Sequence, residues 1–332
     1  MAIHIKSGGV WKALNTTYIK YSNAWVKPNT VWINQGGTWK IAWKGIFVYV
    51  QSTTVSNGFA VRDRMIAAGW DGNSPVECYI NAEVSRDGAH DWALHCWGSF
   101  PNGLLLVNNS QIIGHGGRGG NGGTGAPDAS TAGGNGSAGG RAVSFPDAAW
   151  QAANNVAYIH VQNNGGFYGG GGGGSGSGGA SSLYANTYGG TGAMGGAGGG
   201  GGAGGTGNSG GGWGGSASGM NVIWWGNNGT GGTRSGPGTG GAQRQGTADS
   251  GTGTVGTRSG TGGNGAWWGG TGARAANSVA WHKGAVYQDG AREPNGSAEA
   301  QPSGWGGAGG ASTLNAAAVT WLATGIRSGP IQ

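Results

Sequence analysis

Residues 116–124 read Gly-Gly-Arg-Gly-Gly-Asn-Gly-Gly-Thr, and this triplet pattern predicts the fold of most of the chain. The pattern returns at 133–141, and the longest run keeps glycine at every third position from 189 to 207. Three residues per turn and no internal hydrogen bonds are properties of a polyproline-II-type helix. Two edges of such a glycine helix are bare backbone, so neighbouring helices can approach closely and supply hydrogen-bond partners. The sequence therefore predicts that the glycine-rich domain, 114–332, consists of polyproline-II-type glycine helices stacked in layers.

Collagen and plain disorder are the alternatives for a region in which about one residue in three is glycine. Collagen needs abundant proline in phase, and only six prolines follow residue 113. Disordered segments are poor in aromatic residues. This region instead contains many tryptophans, among them Trp213, Trp224, Trp225, Trp267, Trp268, Trp281, Trp305 and Trp321. Because tryptophan buries a large surface in cores and interfaces, we expect the region to be folded.

The first 45 residues contain a repeat in which equivalent positions are 14 residues apart. Each unit is predicted to form two short strands around an Asn-containing turn. So short a region cannot bury this much aromatic surface alone, so we expect it to contact a partner. Three copies suggest a pseudo-threefold surface that would match the end of a homotrimer. A small β-meander packed on the next domain is the alternative. The predicted attachment residues are Trp11, Trp25, Trp39, Tyr18, Trp32, Ile19 and Ile33.

Residues 46–113 are predicted to form a small α+β middle domain between the repeat domain, 1–45, and the glycine-rich domain, 114–332. Asn57 can cap a helix that runs to about Ala68, and Gly69 would end it. Strands are predicted at 46–50, 76–84, 92–97 and 104–107. The fold class is therefore mainly irregular and β.

The charged and reactive residues indicate no chemistry. The net charge is +6, without a Lys/Arg run of the kind that binds nucleic acid, and no stretch approaches the roughly 20 apolar residues of a membrane span. The start of the chain lacks the apolar stretch of a signal peptide, so synthesis in a cytoplasm and release by lysis are expected. Cys78 and Cys96 are predicted to be free and buried, and their spacing from the histidines fits no zinc pattern. We predict no catalytic residue, no cofactor and no metal.

Segments that break the glycine period are the candidates for recognition, because irregular loops on a rigid scaffold are a common binding surface. These segments are 180–188, 213–228, 233–259, 266–268 and 274–303. Exposed aromatic residues are the usual anchors of protein interfaces. The candidate receptor-binding residues are Tyr184, Ile223, Trp224, Trp225, Asn227, Trp267, Trp268, Trp281 and Tyr287. For any single tryptophan here, packing against the scaffold is an equal alternative.

Residues 59–72, which end Gly-Trp-Asp-Gly, and residues 100–114 resemble the middle domain of the receptor-recognising adhesins on the long tail fibres of T-even-like phages. The resemblance implies that the N-terminal domain attaches to the tip of the trimeric long tail fibre protein, with one copy per fibre. It also implies that distal loops of a polyglycine-II sandwich bind a bacterial outer-membrane protein or lipopolysaccharide. The protein would then lie in the virion, at the distal tip of the tail fibre, without a nucleic acid partner. The alternatives are an ice-binding glycine-helix protein, a fibre assembly chaperone and a sugar depolymerase.

Overall fold

The computed structural model describes residues 3–7, 10–14, 19–21, 24–26, 30–86, 92–124, 131–178, 180–184, 194–197, 211–213, 227–233, 236–242, 245–249, 254–258, 260–277, 279–283, 296–300 and 302–332. In the strands before residue 45 and in the six strands between 180 and 300, the description is of the backbone alone.

The described N-terminal residues form three antiparallel hairpins. The strands are β1 (Ile3–Ser7) with β2 (Val10–Leu14), β3 (Ile19–Tyr21) with β4 (Ala24–Val26), and β5 (Thr30–Gln35) with β6 (Thr38–Lys44). Trp11 pairs with Lys6, Trp25 with Lys20 and Trp39 with Asn34, so the aligned tryptophans share one register position. The predicted pair of strands per unit is confirmed.

The prediction of an asparagine in every turn is wrong for the third hairpin. Its turn is Gly36-Gly37, with φ angles of +63° and +81°. Two successive positive φ angles belong to the type I′ turn that best fits the twist of a two-residue hairpin. Tyr18, one of the predicted attachment residues, lies outside the described residues.

Within the described ranges from residue 47 onward, the chain forms five successive coils of a parallel β-solenoid with three faces. The first face contains β7 (Phe47–Gln51), β9 (Val76–Ile80), β12 (Leu104–Asn108), β15 (Ile159–Asn163) and β24 (Thr320–Ala323). The second contains β10 (Val84–Ser85), β13 (Gln111–Ile113), β16 (Gly166–Tyr168) and β25 (Ile326–Ser328). The third contains β8 (Phe59–Ala60), β11 (Trp92–His95), β14 (Arg141–Ser144) and β23 (Thr313–Leu314). Single bridges from Val55 to Val84 and from Ile331 to Thr313 complete the first and last coils.

Alternate residues of these strands fill the interior of the solenoid. Phe59, Phe100, Phe145 and Phe167 have no exposed surface. Trp321, in strand β24 of the last coil, covers the interior at this end of the solenoid, with its ring centroid 6.0 Å from Phe145 and 6.1 Å from Phe167.

Asparagine side chains join consecutive coils at the corner that follows the first face. Asn164 Nδ2 donates to Asn109 Oδ1 over 2.8 Å, and Asn109 Nδ2 donates to Asn81 Oδ1 over 2.8 Å. One residue earlier, the buried Asn108 donates to Asn163 Oδ1 over 2.7 Å. These amides form a ladder because each offers both a donor and an acceptor.

Short helices lie at other corners of the coils: α1 (Val61–Ala67), α2 (Ala148–Ala153) and a 3-10 turn at Ala316–Ala318. The prediction that Asn57 caps the first helix is wrong, because Asn57 instead pairs with Arg86 and the helix begins at Val61. The predicted end at Gly69 is confirmed, since its φ of +95° is the left-handed conformation that terminates helices. Cys78 and Cys96 are free and buried, as predicted.

The three faces extend across the predicted boundary at residue 113. The chain leaves the solenoid after β13 and returns at β14, then leaves after β16 and returns at β23. The prediction of a small α+β unit confined to 46–113 therefore misses the strands of 141–168 and 313–331. The broader prediction, mainly β and irregular structure, is confirmed.

Both excursions contain straight glycine-rich segments, which we call rods. They are rod A (114–124), rod B (131–140), rod C (169–178), rod D (260–266), rod E (270–277) and rod F (302–311). Rod C is buried along its whole length, with the other five around it. It accepts hydrogen bonds from rods A, D and F and donates to rods B and E, over 2.7 to 3.1 Å.

These hydrogen bonds repeat every third residue. Carbonyls 171, 174 and 177 of rod C accept from rod A, carbonyls 172 and 175 from rod D, and carbonyls 170, 173 and 176 from rod F. Solvent exposure has the same period. The outward positions are 261, 264 and 267 in rod D and the turn after it, and 302, 305 and 308 in rod F. Three residues therefore complete one turn of a rod.

Side-chain oxygens at outward positions bond to the backbone of adjacent segments. Asn135 Oδ1 accepts from the Trp305 N–H over 2.7 Å, and Asn264 Oδ1 accepts from the Gly240 N–H over 3.0 Å. Neither N–H donates to a backbone carbonyl within the described part of the chain. The asparagines of the triplets thus replace a missing neighbour.

Candidate functional site

One end of the rod bundle touches the solenoid and the other leads into new strands. Rod C begins beside the last coil, where the Gly169 N–H donates to the Ser328 carbonyl over 2.9 Å. Its other end, at 178, is level with residue 260, because Ser177 Oγ donates to the Gly260 carbonyl over 2.8 Å. We call the end that carries residues 178, 260, 277 and 302 the far end.

Two three-stranded antiparallel sheets continue from the far end. One contains β17 (Ala180–Tyr184), β18 (Met194–Ala197) and β22 (Gly296–Ala300), and the other contains β19 (Gln245–Asp249), β20 (Thr254–Arg258) and β21 (Val279–Lys283). Strand β17 follows rod C, β20 precedes rod D, β21 follows rod E and β22 precedes rod F, each across a short connection. The backbones of β17 and β21, and of β21 and β22, also lie close together, so the two sheets adjoin.

The prediction of irregular loops across 180–188, 233–259 and 274–303 is wrong over these strands. Residues 194–197, predicted as part of the longest glycine run, pair with β17 as a strand. A glycine-rich sequence can enter a sheet because its bare backbone offers the same donors and acceptors to a neighbouring strand.

The structure brings two of the predicted receptor-binding residues to these sheets. Tyr184 is the last residue of β17, opposite Gly296, and Trp281 is the central residue of β21, opposite Gly256. Asn227 lies half-buried in the segment 227–233, where its carbonyl faces Gly241. The predicted residues Ile223, Trp224, Trp225 and Tyr287 lie outside the described residues.

Trp267 and Trp268 lie at the opposite end of the rods, beside the solenoid. They form the turn between rods D and E, which continues into Gly269, whose N–H donates to the Gly169 carbonyl over 2.8 Å. The Trp268 ring is half-buried, with its centroid 5.6 Å from that of Tyr168 in β16. Trp267 is 62% exposed. The structure therefore separates this pair from Tyr184 and Trp281 by the length of the rods.

Two further exposed tryptophans were not among the predicted site residues. Trp213 is 63% exposed and Trp305 is 65% exposed, and the guanidinium of Arg274 lies 4.3 Å from the Trp305 ring centroid. The available signal was the triplet phase, because the third residue of Gly-Gly-x faces outward and Trp305 shares the phase of the outward Pro302 and Ala308.

The described residues contain no group of three or more histidine, cysteine, aspartate or glutamate side chains that could hold a metal ion. None of the helices in the described ranges has the length and apolar character that a membrane span requires. Burial lowers the pKa of His95, and burial raises the pKa of the Cys96 thiol well above its ordinary value.

Comparison with known proteins identifies the family. The crystal structure of the gp37–gp38 adhesin tip complex of the bacteriophage S16 long tail fibre is similar at 19% identity and a TM-score of 0.44, over 88% of this chain and 84% of that one. No similar sequence was found among curated proteins. The sequence model of phage tail fibre adhesin Gp38 matches residues 46–332, which include the whole solenoid, the rods and the far-end sheets. This match confirms the resemblance seen in the sequence: the chain belongs to the Gp38 family of phage tail fibre adhesins.

Proposed function

We propose that this tail fibre adhesin binds its receptor on the host surface through the two far-end sheets and the segments that connect their strands. The observation that carries the proposal is the continuity of rods C, D, E and F with these sheets. Rods fixed by backbone hydrogen bonds hold the sheets at a distance from the solenoid. A rigid support of this kind reduces the conformational entropy lost when a surface binds a partner.

In this proposal the segments that connect the strands form part of the receptor surface. Residues 185–193 join β17 to β18, residues 250–253 join β19 to β20, and residues 284–295 join β21 to β22. The receptor class that fits the family resemblance is an outer-membrane protein or lipopolysaccharide. Selection of resistant hosts, followed by sequencing of their surface genes, identifies which of the two it is.

A phage adsorption assay tests this assignment with a matched pair of tryptophans. Trp281→Ala alters the far-end sheet, and Trp267→Ala removes an exposed tryptophan beside the solenoid. We expect Trp281→Ala to slow adsorption at least tenfold and Trp267→Ala to leave the rate within twofold. The reverse order would move the receptor surface to the junction of rods and solenoid.

We propose further that the N-terminal hairpins attach the chain to a trimeric tail fibre protein, one copy per fibre. The three hairpins present Trp11, Trp25 and Trp39 at one register position, which suits three equivalent binding positions on a homotrimer. A triple Trp→Ala variant at these positions should lose pull-down by the fibre protein. Trp213→Ala, which removes one exposed tryptophan elsewhere, should retain it.

The same proposal puts the protein in the virion at the distal tip of the fibre. Quantitative mass spectrometry of purified virions should find one copy per fibre trimer. A chain that acts only in fibre assembly would be absent from the virion.

We also infer that the rods are polyglycine-II helices stacked as a layered sandwich. The three-residue period of hydrogen bonds and exposure supports this inference. So does the packing of five rods around rod C, because each rod can bond to several neighbours only if successive carbonyls point in different directions.

A further inference from the structure

A groove of about 430 Å³ lies on the third face of the solenoid, remote in sequence from the far-end sheets. Three adjacent strands line it. Trp92 of β11 pairs with Arg141 of β14, and Ser144 of β14 pairs with both His95 of β11 and Leu314 of β23. The lining residues are Trp92, His95, Trp97, Arg141, Ser144 and Leu314. Its volume falls in the range of small-molecule sites.

The aromatic walls of the groove are held in place by their neighbours. The ring centroids of Trp92 and His95 are 3.9 Å apart. Trp97 Nε1 donates to Ser144 Oγ over 3.0 Å, and the Trp97 ring meets that of Trp150 edge-on at 5.2 Å. Beneath them the strand backbones are fixed, because Leu94 points into the core and is fully buried. The groove is therefore pre-formed, which is a property of ligand sites.

Arg141 is the charged side chain among the residues that line the groove. Arg141 is half-buried, and no carboxylate pairs with its guanidinium among the residues that the structure describes. A half-buried guanidinium favours an anion, which it can bind through two parallel hydrogen bonds. Burial lowers the pKa of His95, so at neutral pH its uncharged ring offers one donor and one acceptor.

We propose that this groove binds an anionic saccharide, with the sugar ring against tryptophan and a carboxylate or phosphate substituent on Arg141. The flat, weakly polar face of an indole suits the C–H face of a pyranose ring. The hydroxyl groups of the sugar find donors and acceptors in His95 and Ser144. Saccharides with acidic substituents are components of bacterial surfaces, so the groove is a second contact site, distinct from the far-end sheets.

Titration calorimetry with three probes tests the proposal on the full-length protein. The probes are galacturonic acid, glucose 1-phosphate and the neutral methyl glucoside. We expect at least one of the two acids to bind at least tenfold more tightly than methyl glucoside, and the tighter one identifies the substituent as carboxylate or phosphate. Absence of saturable binding by either acid at concentrations up to about 50 mM overturns the proposal.

Two variants locate the binding in the groove. Arg141→Gln should weaken the binding of the acid at least tenfold. Arg141→Lys should weaken it less, because lysine keeps the positive charge but cannot form the two parallel hydrogen bonds of a guanidinium. Arg118→Gln, which removes an exposed arginine on rod A, should have no effect. Equal weakening by Arg118→Gln and Arg141→Gln would assign the binding to general positive charge and refute the site. The melting temperature of each variant separates loss of binding from loss of fold.

Discussion

Substitution of Gly173 by alanine should destabilise the rod bundle strongly, although it adds one methyl group. Gly173 lies in rod C, and a Cβ there would come closer than 3.0 Å to the Arg118 carbonyl and to the Gly117 oxygen of rod A. The φ angle of Gly173 lies outside the left-handed range, so the backbone itself would accept alanine. The cost therefore arises from the approach of the two rods.

The magnitude follows from what must move. Overpacking in a filled interior costs about 1–3 kcal/mol. Displacement of rod A also strains its bonds to rod C, from Gly117 to Gly171 at 2.7 Å and from Gly120 to Gly174 at 2.9 Å, each worth about 1 kcal/mol. Alanine gains about 0.4–1 kcal/mol by restricting the unfolded chain. The net loss is about 2–4 kcal/mol, which corresponds to a fall in melting temperature on the order of 10 °C.

Scanning calorimetry compares this variant with Ala308→Ser. That control also adds one heavy atom to a rod, but at an outward position of rod F. Surface changes of this kind stay within about 0.5 kcal/mol. If Gly173→Ala melts at the temperature of the control or above it, the inference that rods A and C pack too closely for a Cβ is wrong.

Three other substitutions test separate features. Burial raises the pKa of Cys78 and Cys96, so the folded state retains protons that the unfolded chain releases above pH 9.0. The free energy of unfolding measured in urea should therefore fall as the pH rises above that value, by about 1.4 kcal/mol per pH unit for each thiol. A double Cys→Ala variant should lose this extra slope. Gly69→Ala should lower the free energy of unfolding by about 1–2 kcal/mol because of the φ of +95° alone, since nothing lies within 4 Å of the added Cβ. Gly69→Asn should lower the free energy of unfolding by less, and equal losses in the two variants would contradict this explanation. Asn135→Ala should cost about 0.5–1.5 kcal/mol because the Trp305 N–H loses its acceptor, whereas Asn135→Asp, which keeps an acceptor, should cost little.

The sequence predicts the features of this protein that repeat at short range. The 14-residue period before residue 45 predicts two strands per unit, and the strand at 104–107 follows from its apolar run. Gly69 marks the end of a helix because only glycine adopts its backbone angle without strain. Each of these depends on residues close together in the chain.

The solenoid could not be predicted in the same way, because its coils differ greatly in length. The third and fourth coils contain the rods between their second and third faces, so equivalent strands are not evenly spaced in the sequence. A weaker signal was present. An asparagine follows the first-face strand in three coils, at Asn81, Asn109 and Asn164, and these side chains bond to one another in the structure.

The separation of the two tryptophan sites also depends on topology. Trp267 and Trp281 both interrupt glycine-rich sequence, and composition alone gives them equal weight. Which end of a rod a residue occupies depends on the direction in which the chain runs through the bundle. That direction is set by pairings between distant residues, such as Gly263 with Ser175.

The insertion of the rods into the solenoid coils has a mechanical consequence. Under the proposed function, a virus held to a cell through the far-end sheets is pulled by every collision and flow around it, and the tension passes along the rods between those sheets and the coils. The hydrogen bonds between rods lie across the direction of the tension. A load along the rods therefore acts as shear on the hydrogen bonds that join rod C to the other five rods. No rod can slide until a whole row of bonds breaks at once, whereas a hairpin pulled from its open end fails one bond at a time. The glycine bundle is therefore built to transmit force without extending.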